Sequence, residues 1–195
     1  MDDENLTSED LPVRSDARRN RRRLLDAATE LILEVGGEPS RDAIAKAAGV
    51  GIATLYRHFP DRQELLRGVA IDVLDRTVAA GEAALDEPDG GAALRRYLHA
   101  AIDIGLGAVN IVHPLLHDVD WPKQRTAAQD VLDRLVDAAH GDEAIAANVT
   151  STDIALATIR FCRPLGIGLD QPEERAIAHR QLDIYLDGLT GSQDR

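Results

Sequence analysis

The sequence predicts an all-α protein of about nine helices, and three observations carry that expectation. Alanine, leucine and arginine are plentiful, whereas aromatic residues make up only 3% and β-branched runs are scarce. Apolar residues recur at three- and four-residue intervals over most of the chain. Glycine and proline breaks, at Gly36-Gly37, Gly49 and Glu87-Pro88-Asp89-Gly90-Gly91, punctuate those periodic segments. With 195 residues and 44% hydrophobic content, the chain can bury a sizeable core. Cys162 is the only cysteine, which excludes an intrachain disulfide and any paired-cysteine zinc or redox site. The nearly uncharged stretch Ile104 to Val112 is too short to span a bilayer, so no membrane is expected. The opening MDDENLTSEDLP is acidic, the reverse of a secretory signal, and a cytoplasmic location is expected.

Taken in order, residues 1–13 are poor in apolar side chains and predict a disordered acidic tail. A first helix runs from about Ser15 to Val35, with Leu24, Leu25, Ala28, Leu31, Ile32 and Val35 on one face. Gly36-Gly37 stops it. Ser40 is an N-cap for a short helix ending near Ala47, Gly49 supplies a tight turn, and a second short helix spans Ile52 to His58. Asp61 caps the next helix, with Glu64 three residues on in the capping-box arrangement. Leu65, Leu66, Val69, Val73 and Val78 carry that helix to about Leu85, before the break at Glu87-Pro88-Asp89-Gly90-Gly91. Further helices are predicted at 92–110, 114–118, 123–140, 151–168 and 172–189.

A net charge of −12 argues at first against a polyanionic partner, but the charge is unevenly spread. Residues 1–11 carry five acids and no base, residues 12–67 balance at +3, and residues 68–195 balance at −10. The field at the contact surface decides binding to nucleic acid, so the whole-chain charge is a poor guide. Within the basic third, Arg14, Arg18, Arg19, Arg21, Arg22 and Arg23 crowd the start of the first helix. Positive charge there opposes the helix dipole, and Asp16 offsets only part of it. Such a cluster fits an arm that follows phosphates, though any one arginine could equally belong to a solvated face.

Residues 41–59 hold the most specific pattern. Ala45 is small where two helices must cross, and Gly49 follows four residues later in the turn. Ile44, Ala48, Val50, Leu55 and Phe59 make a small core. This is the arithmetic of a helix-turn-helix, whose second helix enters the major groove. Its groove-facing set is Gly51, Ile52, Ala53, Thr54, Tyr56 and Arg57, with Tyr56 and His58 placed to reach phosphates.

The stretch IAKAAGVGIATLYRHFPDRQELL, residues 44–66, resembles the DNA-binding signature of the TetR/AcrR family of bacterial transcriptional regulators. The resemblance covers residues 18–70 and implies DNA-contacting roles for Thr54, Tyr56, His58 and Arg62. Arg62 stands where members commonly carry a phosphate-binding lysine, and Gly51 where many carry serine or threonine. With Arg18, Arg19, Arg22, Ser40, Gly51, Ile52, Ala53 and Arg57, these residues form the expected DNA-binding set. The implied layout is a DNA-binding unit over 14–60 and a ligand-binding, dimerising unit over 61–195, with helix 61–85 as connector.

In the resembled family the last two long helices dimerise, here 151–168 and 172–189. Ile154, Leu156, Ile159, Ile177, Ile184, Tyr185 and Leu189 are the candidate contacts, although the same stripes could be intrachain core. Polar or aromatic residues in apolar segments are candidate pocket residues: His99, Asp103, Asn110, His113, His117, Trp121, Phe161, Cys162 and Arg163. His113 and His117 lack a matching third ligand, so no metal and no cofactor is expected. The strongly negative remainder favours cationic or neutral ligands over anions by long-range field alone.

No GxSxG, P-loop, GxGxxG or HExxH signature occurs, which argues against an enzyme. The expectation is a dimeric regulator of double-stranded, palindromic operator DNA, released by a small-molecule effector and acting as a repressor. Activation through the same residues, or a partner-binding module with vestigial DNA binding, are the alternatives.

Overall fold

The computed structural model describes residues 10–116, 122–165 and 168–189. Among these, nine α-helices account for the regular structure, with one 3-10 turn and no strand. In chain order they are α1 (Asp10–Val35), α2 (Arg41–Ala47), α3 (Ile52–His58), α4 (Arg62–Ala84), α5 (Gly90–Ile104), α6 (Gly107–Val112), α7 (Pro122–Gly141), α8 (Ser151–Phe161) and α9 (Gln171–Leu189). The 3-10 turn, His113–Leu115, extends α6.

Capping chemistry fixes several starts, at Ser40 and Asp61 as the sequence indicates, although the Glu64 carboxylate expected to complete a capping box pairs with Arg67. The Ser40 side chain accepts from the Ala43 N–H, Asp61 from Glu64, and Asp89 from Ala92. Thr150 and Asp153 cap each other's backbone at the head of α8. Several boundaries differ from expectation, among them the helix expected over 114–118, which in the described residues is the 3-10 turn His113–Leu115. Helix α1 begins at Asp10, so residues 10–13 are helical and only residues 1–9 of the expected tail lie outside the described chain. The helix expected over 92–110 is two helices, because Gly105 takes φ +92° and caps α5 in the left-handed region. Helix α8 ends at Phe161 rather than 168, shortly before Pro164.

The buried side chains form two clusters. One joins Leu24, Ile32, Ile44, Leu55, Phe59, Leu66 and Val73 from α1 to α4 with Ala108 and Val112 of α6. The other joins Leu94 and Leu98 of α5, Leu135 of α7, Ile154 of α8 and Leu182 of α9 with the end of α4. Helix α4 therefore contributes to both clusters, while α6 contributes to the first although it follows α5 in the chain. The side-chain amide of Gln63, in the first turn of α4, donates to the Leu115 carbonyl at 3.1 Å and ties the 3-10 turn to the head of α4. Among the described residues no single helix is long and apolar enough to cross a membrane.

Candidate nucleic-acid interface and ligand cavity

The α2–α3 corner is built by a few backbone groups. Gly49 adopts φ +62°, and the Val50 N–H reaches the Ala45 carbonyl at 3.0 Å. Side chains of Ile44, Ala45, Ala48, Leu55 and Phe59 are buried beneath it. Packing on that core leaves the opposite side of α3 open. Gly51, Ala53, Tyr56 and Arg57 are exposed, and Tyr56 keeps 46% of its surface. Thr54 and His58 are half-buried, and Ile52, expected at the groove, packs partly on the first core cluster. The short helix thus offers a polar tip of the size that fits a DNA major groove.

Neighbouring cations hold that tip in place. The Arg57 guanidinium donates to the Thr54 hydroxyl at 3.0 Å and to the Ala53 carbonyl at 3.3 Å. Arg41 lies over the Tyr56 ring at 4.9 Å, and Arg21 over Phe59 at 4.5 Å. Burial, then the charges of Arg21 and Arg57, lower the His58 imidazole below its ordinary 6.5, so it is neutral at pH 7. Neutral His58 can hydrogen-bond a phosphate but brings no charge to it. Gly51 caps α3 by backbone alone, with no side-chain hydrogen bond.

The expected arginines separate by environment. Arg18 is exposed, and Arg19 is exposed but paired with Asp16 at 2.7 Å. Arg22 is committed within the protein: it grips Asp26 at 2.6 Å and Asp72 of α4 at 3.0 Å, joined by Arg76. That network fastens α1 to α4, a structural task that the arginine count alone did not reveal. Arg62 pairs with Glu38 in the loop before α2, and Ser40 is occupied by its capping bond.

A cavity of about 320 Å³ lies between α4, α5, α6, α7 and α8. Leu74, Leu98, Leu106, Val109, Leu132 and Ile159 give it apolar walls. Thr77, Tyr97, Asn110, His113, Arg125, Gln129 and Thr158 supply its polar groups. Helix α6 and its N-cap residue Leu106 present Leu106, Val109 and Asn110 to this cavity while Ala108 and Val112 enter the first core cluster.

The family model described as bacterial regulatory proteins of the tetR family matches residues 24–69. A crystal structure of a TetR transcriptional regulator from Streptomyces coelicolor is 30% identical, covering 88% of this chain and 99% of that one, with a TM-score of 0.67. The chain belongs to the TetR family of transcriptional regulators. A TetR regulator from Mycobacterium vanbaalenii is similar at 28% identity over 91% of this chain and 99% of that one, with a TM-score of 0.66. The HTH-type transcriptional repressor LfrR of Mycolicibacterium smegmatis is 43% identical over 97 residues, which is 48% of this chain and 50% of LfrR. The chain thus spans about half the length of that curated relative. The structure of LfrR in complex with proflavine shares the fold at 24% identity, with a TM-score of 0.60 over 85% of this chain.

Within this TetR-family frame the pocket candidates scatter. Asn110 and His113 line the cavity. His99 and Asp103 do not: they face α9, where His99 meets His179 and Asp103 accepts from His179. Phe161, Cys162 and Arg163 border a separate, much smaller cleft with Ile177. His117 and Trp121 lie outside the described residues. The dimer candidates scatter too. Leu156 and Ile184 are exposed at 48% and 73%. Ile154 is wholly inside the protomer, leaving no surface for a partner, and Ile159 faces the cavity. Tyr185 packs edge-on to Phe161 at 5.6 Å, and Leu189 is half-buried against the second cluster. Sequence reading missed Tyr97, Arg125 and Gln129. Tyr97 met the same criterion as His99, an aromatic in an apolar helix, while Arg125 and Gln129 share a face of α7 at four-residue spacing.

Proposed function

We propose that this chain is a dimeric, ligand-responsive DNA-binding repressor. The observation that carries this reading is the double duty of α6, which faces the cavity on one side and the helix-turn-helix core on the other. A ligand that enters the cavity pushes on Leu106, Val109 and Asn110. Any displacement passes through Ala108 and Val112 into the packing of α1 and α4, and through the Gln63 bond to the head of α4. Helix α4 leads directly from α3, so its tilt resets the position of the reading head. The ligand shifts the equilibrium only by its preference for the DNA-incompetent state.

Dimerisation is supported by exposed Leu156 and Ile184 on adjoining helices α8 and α9. One short recognition helix reads few bases, whereas a two-fold pair reads a palindrome. The repressor LfrR and its complex with proflavine support the same functional class.

Sedimentation and gel retardation test the reading together, using DNA from upstream of the chain's own gene. The wild-type chain is expected to sediment as a dimer and to retard that DNA. Ile184→Glu is expected to give a folded monomer that does not. A wild-type monomer, or an Ile184→Glu variant that stays dimeric and bound, contradicts the dimer interface; unretarded DNA at low salt contradicts the repressor reading.

A further inference from the structure

The cavity's charge inventory separates ligand classes, and this inference rests on the proposed regulatory reading. Among the described residues its ionisable side chains are Tyr97, His113 and Arg125, and no aspartate or glutamate lines it. An organic cation entering this space would meet an arginine and no carboxylate to neutralise it, which is a costly way to desolvate charge. The hydroxyl protons of Thr77 and Thr158 are spent on the backbone carbonyls of Val73 and Ile154, at 2.8 Å each. Those hydroxyls therefore hold their helices and do not set ligand charge. The Gln129 amide is likewise spent, on Asp133 at 2.7 Å and Ser151 at 3.2 Å. Arg125 brings the cavity's permanent positive charge, and the Tyr97 hydroxyl and the Asn110 amide add neutral donors. Tyr97 remains a donor through the physiological range, because burial pushes its phenol up to about 12. Apolar walls of Leu98, Leu132 and Ile159 complete a site for a flat or compact apolar body with an acceptor group at one end.

We propose that the cavity binds an apolar carboxylate, with the acid group on Arg125 and Tyr97, and discriminates against organic cations. The long-range field of a −10 domain favours cations in the bulk, but the lining decides what can be desolvated. The guanidinium fork matches a carboxylate in two parallel hydrogen bonds, which an ammonium or acridinium cannot accept.

Naphthalene-2-carboxylate and proflavine, titrated into the full chain by calorimetry, form a matched pair of aromatic probes with opposite charge. The carboxylate is expected to bind saturably in the wild type. Arg125→Gln is expected to weaken it at least tenfold, and Tyr97→Phe severalfold. Arg125→Glu is expected to reverse the order and admit proflavine; Arg125 is exposed, so both of its substitutions should leave the fold intact. Tighter proflavine than carboxylate binding in the wild type overturns the assignment. So does carboxylate binding untouched by Arg125→Gln, or binding of neither probe. Release of upstream DNA is measured alongside. Proflavine binding with release would sink the ligand class and spare the regulator, whereas carboxylate binding without release would do the opposite.

Discussion

The Nδ1 atoms of His99 on α5 and His179 on α9 face each other at 2.6 Å, with the ring centroids 4.8 Å apart. Each Nε2 points at a carboxylate, His99 to Asp183 and His179 to Asp103, both at 3.0 Å. Both Nε2 atoms must therefore carry hydrogen, because a carboxylate only accepts. The Nδ1 pair needs one further hydrogen between its two nitrogens. Asp183 is further gripped by Arg95 at 2.5 Å, so a chain of polar contacts joins α5 to α9.

This pairing makes the two histidines act as a unit. His99→Ala and His179→Ala should each cost ~1 kcal/mol of unfolding stability, and the double variant should cost less than the sum. Chemical denaturation of the three variants at fixed pH checks this. Additive losses would show that the rings do not share a hydrogen bond.

The same contact has a sign on the acid side. The hydrogen bond from His99, then that from Arg95, holds Asp183 below its ordinary value of 3.8. A carboxylate depressed in the folded state stabilises above its unfolded value and loses that contribution as pH falls through the folded one. The stability gap between wild type and Asp183→Asn should therefore be present near neutrality and close below about pH 4. Thermal melting over that range measures it.

Two glycines with opposite surroundings should respond oppositely to a side chain. A Cβ on Gly107 would stand 2.0 Å from the Cys162 carbonyl oxygen, backbone that cannot swing aside. Gly107→Ala should lower stability by ~2 kcal/mol. Around Gly51 nothing lies within 4 Å and the backbone is extended, as an N-cap requires. Gly51→Ser should hold or raise stability by a few tenths of a kcal/mol. Equal losses at both sites would contradict the close α6–α8 approach.

The arginines of α1 should divide in the same way. Arg22→Ala breaks the Asp26–Asp72 network at a cost of ~1 kcal/mol, since its guanidinium is partly solvated. Arg18→Ala should leave stability unchanged and reduce the salt slope of DNA binding by about one. Paired denaturation and salt-titration data distinguish structural from phosphate-facing arginines.

Legibility in the sequence followed the range of the interaction. Ser40, Gly49 and Asp61 were readable because caps and turns depend on residues within four positions, and all three do in the structure what that local chemistry requires. The break at Gly105 was hidden inside an apolar run, and the side chains that lie against that glycine, Thr29 and Leu33 of α1, come from a distant part of the chain. Ile154 and Leu156 belong to one apolar stripe, yet one is core and the other exposed, a distinction that only neighbouring helices make. Arg22 looked like its neighbours until Asp72 on α4 claimed it. The helix-turn-helix corner was therefore legible, whereas the cavity, assembled from five helices, was legible only in Asn110 and His113.

Binding of DNA from upstream of the chain's own gene, followed by fluorescence anisotropy at two salt concentrations for wild type and Tyr56→Ala, asks whether α3 reads DNA. Exposed Tyr56 contributes nothing to the buried core, so the variant should fold as the wild type does. Saturable, salt-sensitive binding by the wild type and at least a tenfold loss, ~1.4 kcal/mol, in the variant are expected. Equal binding by the two proteins would contradict the assignment of α3 as the reading head.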